Sequence, residues 1–228
     1  MCLTILKLKT REGNKMNPEA KSMAKEIFEN DEHVSNYEQK VKKSNWLGPE
    51  IMFGLAFRHI RPGEKILDLG IGTGLCSELF HKAGLLVFGL DFSEKMLNIC
   101  RRKNFAAELK KYDLGQVPYP FANDAMDHAI CGGVMHIFED IGPIFNEVSR
   151  ITRKDGIFTF CSMDMDSSEP LAVETSVGTT VVFGHGSEEI EKLLAENRFR
   201  LINSIGFEVN THESCRHFTA YAVENIKP

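Results

Sequence analysis

The sequence predicts an α/β fold: a seven-stranded, mostly parallel sheet with helices on both faces, a reversed last strand and an N-terminal helical extension. Three observations carry this reading. Strand-like runs alternate five times with helical patterns from Ile66 to Cys161, which implies parallel strands joined by right-handed crossovers. The run Ile66-Leu67-Asp68-Leu69-Gly70-Ile71-Gly72-Thr73-Gly74 carries an apolar strand directly into three alternate glycines, with a helix pattern behind them. Two β-rich runs, residues 199–209 and 216–223, are separated by only a short polar connection, so they pair antiparallel, because parallel neighbours need a long crossover.

Residues 1–15 hold one short apolar patch, interrupted by Lys7, which is too brief for a signal-peptide core or a membrane span. A disordered tail over 1–16 and a cytoplasmic setting are therefore expected. Asn17-Pro18 opens a helical extension, expected as a cap over 17–48, with Ala20, Met23, Ala24 and Ile27 along one face before the segment turns polar through residues 29–43. The main domain occupies 49–228. Pro49 starts a helix that carries Ile51, Met52, Leu55 and Ala56 inward, and Arg61-Pro62-Gly63 stops it. After the glycine loop, Leu75, Leu79 and Phe80 mark a helix ended by Gly84. Residues 85–90 read as a fully buried strand ended by Asp91, and Ser93 caps a helix bearing Met96, Leu97 and Cys100.

The third strand, 107–112, contains Lys110 and Lys111 and suits a sheet edge, whereas the fourth, 127–131, is short and apolar. Ile141, Ile144, Phe145, Val148 and Ile151 recur at helical spacing, and Lys154-Asp155-Gly156 turns into a fifth strand over 157–161. Segment 164–186 is long for a connection and is expected to be a substrate lid lined by Val173, Val177, Val181, Val182 and Phe183. A last helix over 187–197 precedes the antiparallel pair.

Composition narrows the function. A net charge of −5 and short, diluted basic clusters argue against a nucleic-acid partner. The six cysteines are scattered without a C-x-x-C pair, so neither a metal site nor a disulfide framework is expected. The glycine loop points to a nucleotide-type ligand, since its backbone can lie against one while the next helix offers N–H groups. It is not a dinucleotide fingerprint, because Leu75 holds the position of the third glycine in G-x-G-x-x-G. Asp91 lies about 20 residues past the first glycine, where a carboxylate meets ribose hydroxyls and repels a ribose phosphate.

Asp68-Leu69-Gly70-Ile71-Gly72-Thr73-Gly74, Asp91-Phe92-Ser93-Glu94-Lys95-Met96-Leu97, Tyr112-Asp113-Leu114 and residues 147–156 together resemble motifs of the class I S-adenosylmethionine (SAM) dependent methyltransferases. The resemblance runs roughly from Tyr37 onward. It implies a Rossmann-like sheet, SAM as cofactor and methyl transfer to a small-molecule acceptor. By the same resemblance, Gly70, Gly72 and Gly74 receive the methionine portion with Asp68 favouring its ammonium, and Asp91 holds the ribose. Phe92, Met96 and Leu114 then form the adenine slot, Asp113 meets the adenine amino group, and Gly132 lies near the transferred methyl. Tyr37 and Trp46 are candidates for covering the methionine end.

Cys131-Gly132-Gly133-Val134-Met135-His136 stands where methylases of nucleobase or amide nitrogens carry [D/N]-P-P-[Y/F], which weakens those readings. His136 is a candidate base or acceptor-orienting group, and His185 is the other candidate. Two alternatives stay open: a catalytically silent SAM-binding protein of the same shape, and a nucleotide-cofactor oxidoreductase.

Overall fold

The computed structural model describes residues 26–165, 170–175, 178–210 and 215–228. Strands β1 (Lys65–Leu69), β2 (Leu86–Asp91), β3 (Ala106–Lys111), β4 (His128–Cys131) and β5 (Ile157–Met163) form the parallel ladder. Every residue of β4 and β5 is buried, as are the last four of β1, because helices cover both faces. The N-terminal helix described is α1 (Asp31–Lys43). On one face of the sheet lie α2 (Gly48–Ala56), α3 (Ser77–Lys82) and α4 (Glu94–Lys103), whose Met52, Phe80 and Leu97 pack on Ile66 and Val87. On the other, α5 (Gly142–Ile151) brings Phe145 edge-on to Phe158 and Phe160, beside α6 (Ser187–Glu196).

Beyond β5 the chain forms a β-hairpin, β6 (Leu171–Thr175) with β7 (Gly178–Val182), which makes its own two-stranded sheet. The main sheet is completed by β8 (Phe199–Asn210) and β9 (Cys215–Asn225). Its spatial order is β3-β2-β1-β4-β5-β9-β8, and β9 runs antiparallel to both neighbours. The reversed last strand thus sits inside the sheet, and the two edges are the polar β3 and the mostly exposed β8. Strand order reverses direction between β1 and β4, and that crevice at the carboxyl ends of the strands is where ligands collect.

Two segments refine the expectation. Helix α1 occupies the polar part of the expected extension. Asn30 caps it by accepting from the His33 N–H, acids open it and lysines end it, so local chemistry specifies a helix where apolar periodicity is thin. The expected tail over 1–16 and the start of the extension lie outside the described residues. Segment 164–186, expected as a loop, contains the β6–β7 hairpin. Among the described residues, no helix is long and apolar enough to cross a membrane.

Candidate active site

The parallel strands β1 to β4 end at the same edge, and the residues just beyond them line one cleft: Gly70 after β1, Phe92 after β2, Asp113 and Leu114 after β3, and Gly132 after β4. The β1 loop is tied to β2 by hydrogen bonds from the N–H groups of Gly70 and Ile71 to the Leu90 carbonyl, at 2.8 and 3.0 Å. Gly70 lies so close to Val134 that a Cβ would fall 2.4 Å from its Cγ2. Gly72 faces the cleft, where a Cβ would meet only the Met96 Cε at 3.4 Å and its own loop's carbonyl. Gly74 differs from both. It does not line the cleft, and a Cβ there would lie 2.5 Å from the Phe105 ring, so this glycine serves packing between the loop and α4 rather than ligand contact.

Asp91 accepts the Gly72 N–H on Oδ2 and the Ser93 N–H on Oδ1, both at 2.8 Å. One lone pair on each oxygen is thereby used, and the second pair on each can accept a hydroxyl, which fits the two hydroxyls of a ribose. Burial pushes the Asp91 carboxyl up to about 6, against the pull of these backbone donors. Asp68 is 1 % exposed and accepts a hydrogen bond from Ser77. Burial, with Asp91 as a neighbouring like charge, raises it to about 7.

The cleft has two arms. The first holds Phe28, Phe92, Met96, Leu114, Val134 and Phe138 around Asp91 and Asp113, an apolar slot with polar ends that fits a purine nucleoside. The second runs from Asp68 and the glycine loop outward past Trp46 and His136 to the β6–β7 hairpin and Phe218, a cavity of about 350 Å³. Tyr37, Gly132, Gly133 and Ile137 border both arms and mark their throat. Among the described residues, three carboxylates line the two arms and no lysine or arginine does. Such a lining suits a cationic ligand, and it leaves a pyrophosphate without a counter-charge.

Of the residues singled out from sequence, Tyr37, Asp68, Gly70, Gly72, Asp91, Phe92, Met96, Asp113, Leu114 and Gly132 converge on this cleft. Trp46 lies on the second arm alone, edge-on to Phe218 at 5.0 Å, away from the nucleoside slot. His136 lines the same arm, and its imidazole is held down to about 4 by burial first and then by His185 and Arg216. His185 does not line the cleft. It is 1 % exposed, its Nε2 donates to the Phe138 carbonyl at 3.0 Å, and its Nδ1 lies 3.2 Å from both Glu189 carboxylate oxygens, an arrangement that fastens α6 to the loop after β4. Of the expected lid residues, Val173, Val181 and Val182 face the second arm, Phe183 is buried outside it, and Val177 lies outside the described residues.

Sequence patterns alone do not single out Phe28, Val134, Phe138 and Phe218. Phe28 is brought over the cleft just ahead of α1, and this segment is tied to α4: Ser93 donates through Oγ to the Phe28 carbonyl at 2.7 Å, and Lys95–Asp31 and Lys103–Glu38 form ion pairs at 2.6 and 2.7 Å. Cys76, Cys131 and Cys161 gather beneath the second arm, and burial pushes all three thiols up, so they stay protonated and serve as small core side chains.

Known proteins point the same way. A family model described as a methyltransferase domain matches residues 67–160. A malonyl-[acyl-carrier protein] O-methyltransferase of Serratia marcescens is 33% identical over 122 residues, 54% of this chain and 46% of that protein. A demethylmenaquinone methyltransferase of Corynebacterium kroppenstedtii is 35% identical over 101 residues, 44% of this chain and 42% of that protein. The chain spans about half the length of the curated relatives it matches first. Among solved structures, magnesium protoporphyrin IX methyltransferase from Synechocystis PCC 6803 with bound S-adenosylhomocysteine superposes with a TM-score of 0.66, at 16% identity, over 90% of this chain and 99% of that one.

Proposed function

We propose that this chain is a class I SAM-dependent methyltransferase that transfers a methyl group from SAM to a small-molecule acceptor held in the second arm of its cleft. One observation carries the reading: a cleft lined by Asp68, Asp91 and Asp113 without lysine or arginine among the described residues, at the β1–β4 switch point, matches a cofactor that bears a sulfonium and an ammonium. It gives no support to a dinucleotide oxidoreductase, whose pyrophosphate would lie against these carboxylates.

The residues divide the work between them. Asp91 holds the ribose, the backbone at Gly70 and Gly72 carries the methionine portion with Asp68 as its counter-charge, and Phe28, Phe92, Met96 and Leu114 enclose the adenine. The cofactor supplies an electrophilic methyl on a positively charged sulfur, so an in-line approach is the main requirement. His136, neutral at physiological pH, is suited to orienting an acceptor by a hydrogen bond; with its imidazole held so low, it is a weak base for an unactivated hydroxyl. The free thiols among the described residues support a reducing, cytoplasmic setting. Residues 1–16 as a tail, 17–48 as a cap and 49–228 as the catalytic domain complete the proposed organisation.

The direct test is calorimetry with SAM and NAD, and then a metabolite screen for conversion of SAM to S-adenosylhomocysteine. Binding of SAM with turnover supports an enzyme. Binding without turnover on any extract favours the silent alternative, and tight binding of NAD overturns the assignment.

Affinity for SAM is expected to depend on pH through Asp91 and Asp68. Both carboxyls are raised in the ligand-free protein, and ribose hydroxyls and a cation favour their ionised forms. Affinity should therefore be full above the Asp68 value and fall as pH drops through about 7 and then about 6. The fall should approach tenfold per pH unit for each proton taken up. Calorimetry in buffers of different ionisation enthalpy should register proton release on binding near neutrality, and a flat profile would remove these carboxylates from the site.

A further inference from the structure

The outer end of the second arm carries information about the acceptor, an inference that rests on the methyltransferase reading. Trp46 and Phe218 stand edge to face at 5.0 Å and 82°, and Val173 of the hairpin joins them in one apolar cluster. Val181 and Ile137 line the same space, so both aromatic and β-branched side chains bound it. Among the described residues no lysine or arginine lines the arm, and its one carboxylate, Asp68, sits at the glycine loop, where the proposed function pairs it with the cofactor's ammonium. An acceptor bearing a carboxylate would enter without a counter-charge, and burying an unpaired charge is strongly unfavourable. With Asp68 so engaged, an alkyl ammonium would have no free carboxylate here to take its proton before it could act as a nucleophile.

Ser44 and Thr180 add hydroxyls to the lining, and the His136 ring supplies its imidazole. The His136 ring lines the arm beside Phe218, 6.2 Å between centroids, and among the described residues no hydrogen bond reaches its nitrogens. Arg216 and His185 act on it only through their charges and do not line the cavity. It lies next to Ile137, which borders the throat. A group hydrogen-bonded to His136 is therefore held close to where the two arms meet.

We propose that this end accepts an uncharged, planar, largely apolar molecule that presents one hydroxyl to His136: a phenol or enol rather than a carboxylic acid or an amine. On transfer, the oxygen–carbon bond forms as the sulfur–carbon bond breaks. The sulfur keeps that electron pair as a neutral thioether, and the hydroxyl proton leaves to water, so the sulfonium charge departs as a proton.

Trp46 is the sole tryptophan of the chain, so its emission reports on this arm without labelling. Protein saturated with S-adenosylhomocysteine, its binding measured by calorimetry in the same preparation, is titrated with para-tert-butylphenol, para-tert-butylbenzoate and tert-butylcyclohexanol. The phenol should shift Trp46 emission saturably and bind on the order of tenfold tighter than the benzoate, whose charge finds no partner. It should also outbind the saturated alcohol. In His136→Phe the phenol should lose about fivefold in affinity, the value of one neutral hydrogen bond. Equal or tighter binding of the benzoate, or no saturable response to the phenol, would overturn the proposal from the wild-type protein alone, whether or not the variant folds. Failure of S-adenosylhomocysteine to bind would instead strike the cofactor reading, and the same titrations without it would still judge this one.

Discussion

Replacing Asp91 by alanine should weaken SAM binding by about 1.5–3 kcal/mol, the range for hydrogen bonds to a charged partner. That corresponds to a rise in Kd of roughly ten- to a hundredfold or somewhat more. Asp91 is 7 % exposed and each of its oxygens already holds one backbone N–H, from Gly72 on one side and Ser93 on the other. The side chain thus both presents lone pairs to the ribose and sets the distance between the glycine loop and the start of α4. Asparagine keeps the shape but exchanges one acceptor for a donor, so Asp91→Asn should fall between the wild type and the alanine variant. Calorimetry decides the matter, and an affinity unchanged in Asp91→Ala would remove the ribose assignment.

The glycines of the loop should separate by function. Gly72→Val is expected to abolish detectable SAM binding, because its side chain would project into the cleft beside Met96. Its backbone, at φ +54°, would destabilise the fold by only about 1–2 kcal/mol, the cost of a left-handed conformation for a residue with a Cβ. Gly74→Val should do the opposite. At φ +88°, with Phe105 2.5 Å from the new Cβ and Cys100 at 3.0 Å, it combines backbone strain with overpacking. Those two effects together should cost about 2–5 kcal/mol. Thermal unfolding and calorimetry on the two variants check the contrast; a well-folded Gly72→Val protein that binds SAM normally would show that the loop backbone does not lie against the cofactor.

Much of this site was legible in the chain because its chemistry depends on backbone and on single side chains at strand ends. Alternate glycines after an apolar strand, and an acid ending the next strand, keep their meaning without knowledge of distant contacts. The remainder depends on folding at long range. Phe28 reaches the cleft only because the segment leading into α1 is bound to α4, and nothing in its local sequence records that contact. In α1 the stripe facing the cleft is His33, Tyr37 and Val41 in an otherwise polar helix, too sparse for apolar periodicity to reveal. The spacing that groups Gly74 with Gly70 and Gly72 conceals that it points toward Phe105. Likewise an aromatic residue ahead of the glycine loop can belong to either arm, and only the packing of Trp46 on Phe218 places it on the outer one. The β6–β7 hairpin is hidden in sequence because the β-branched residues of so short a pair show little alternation before their partner is known.

The position of β9 has a consequence for assembly. Among the described residues β8 has no ladder partner other than β9, which is later in sequence and lies between β8 and β5. During synthesis β8 emerges first and must wait, its hydrogen-bonding edge unsatisfied, until β9 is available to join it to the sheet. Docking β9 on the distant β5 is a non-local pairing, which is slow and leaves strand edges open to other chains. The β8–β9 pair, whose Phe218 lines the second arm of the cleft, thus ties the completion of that arm to a late, long-range step of folding.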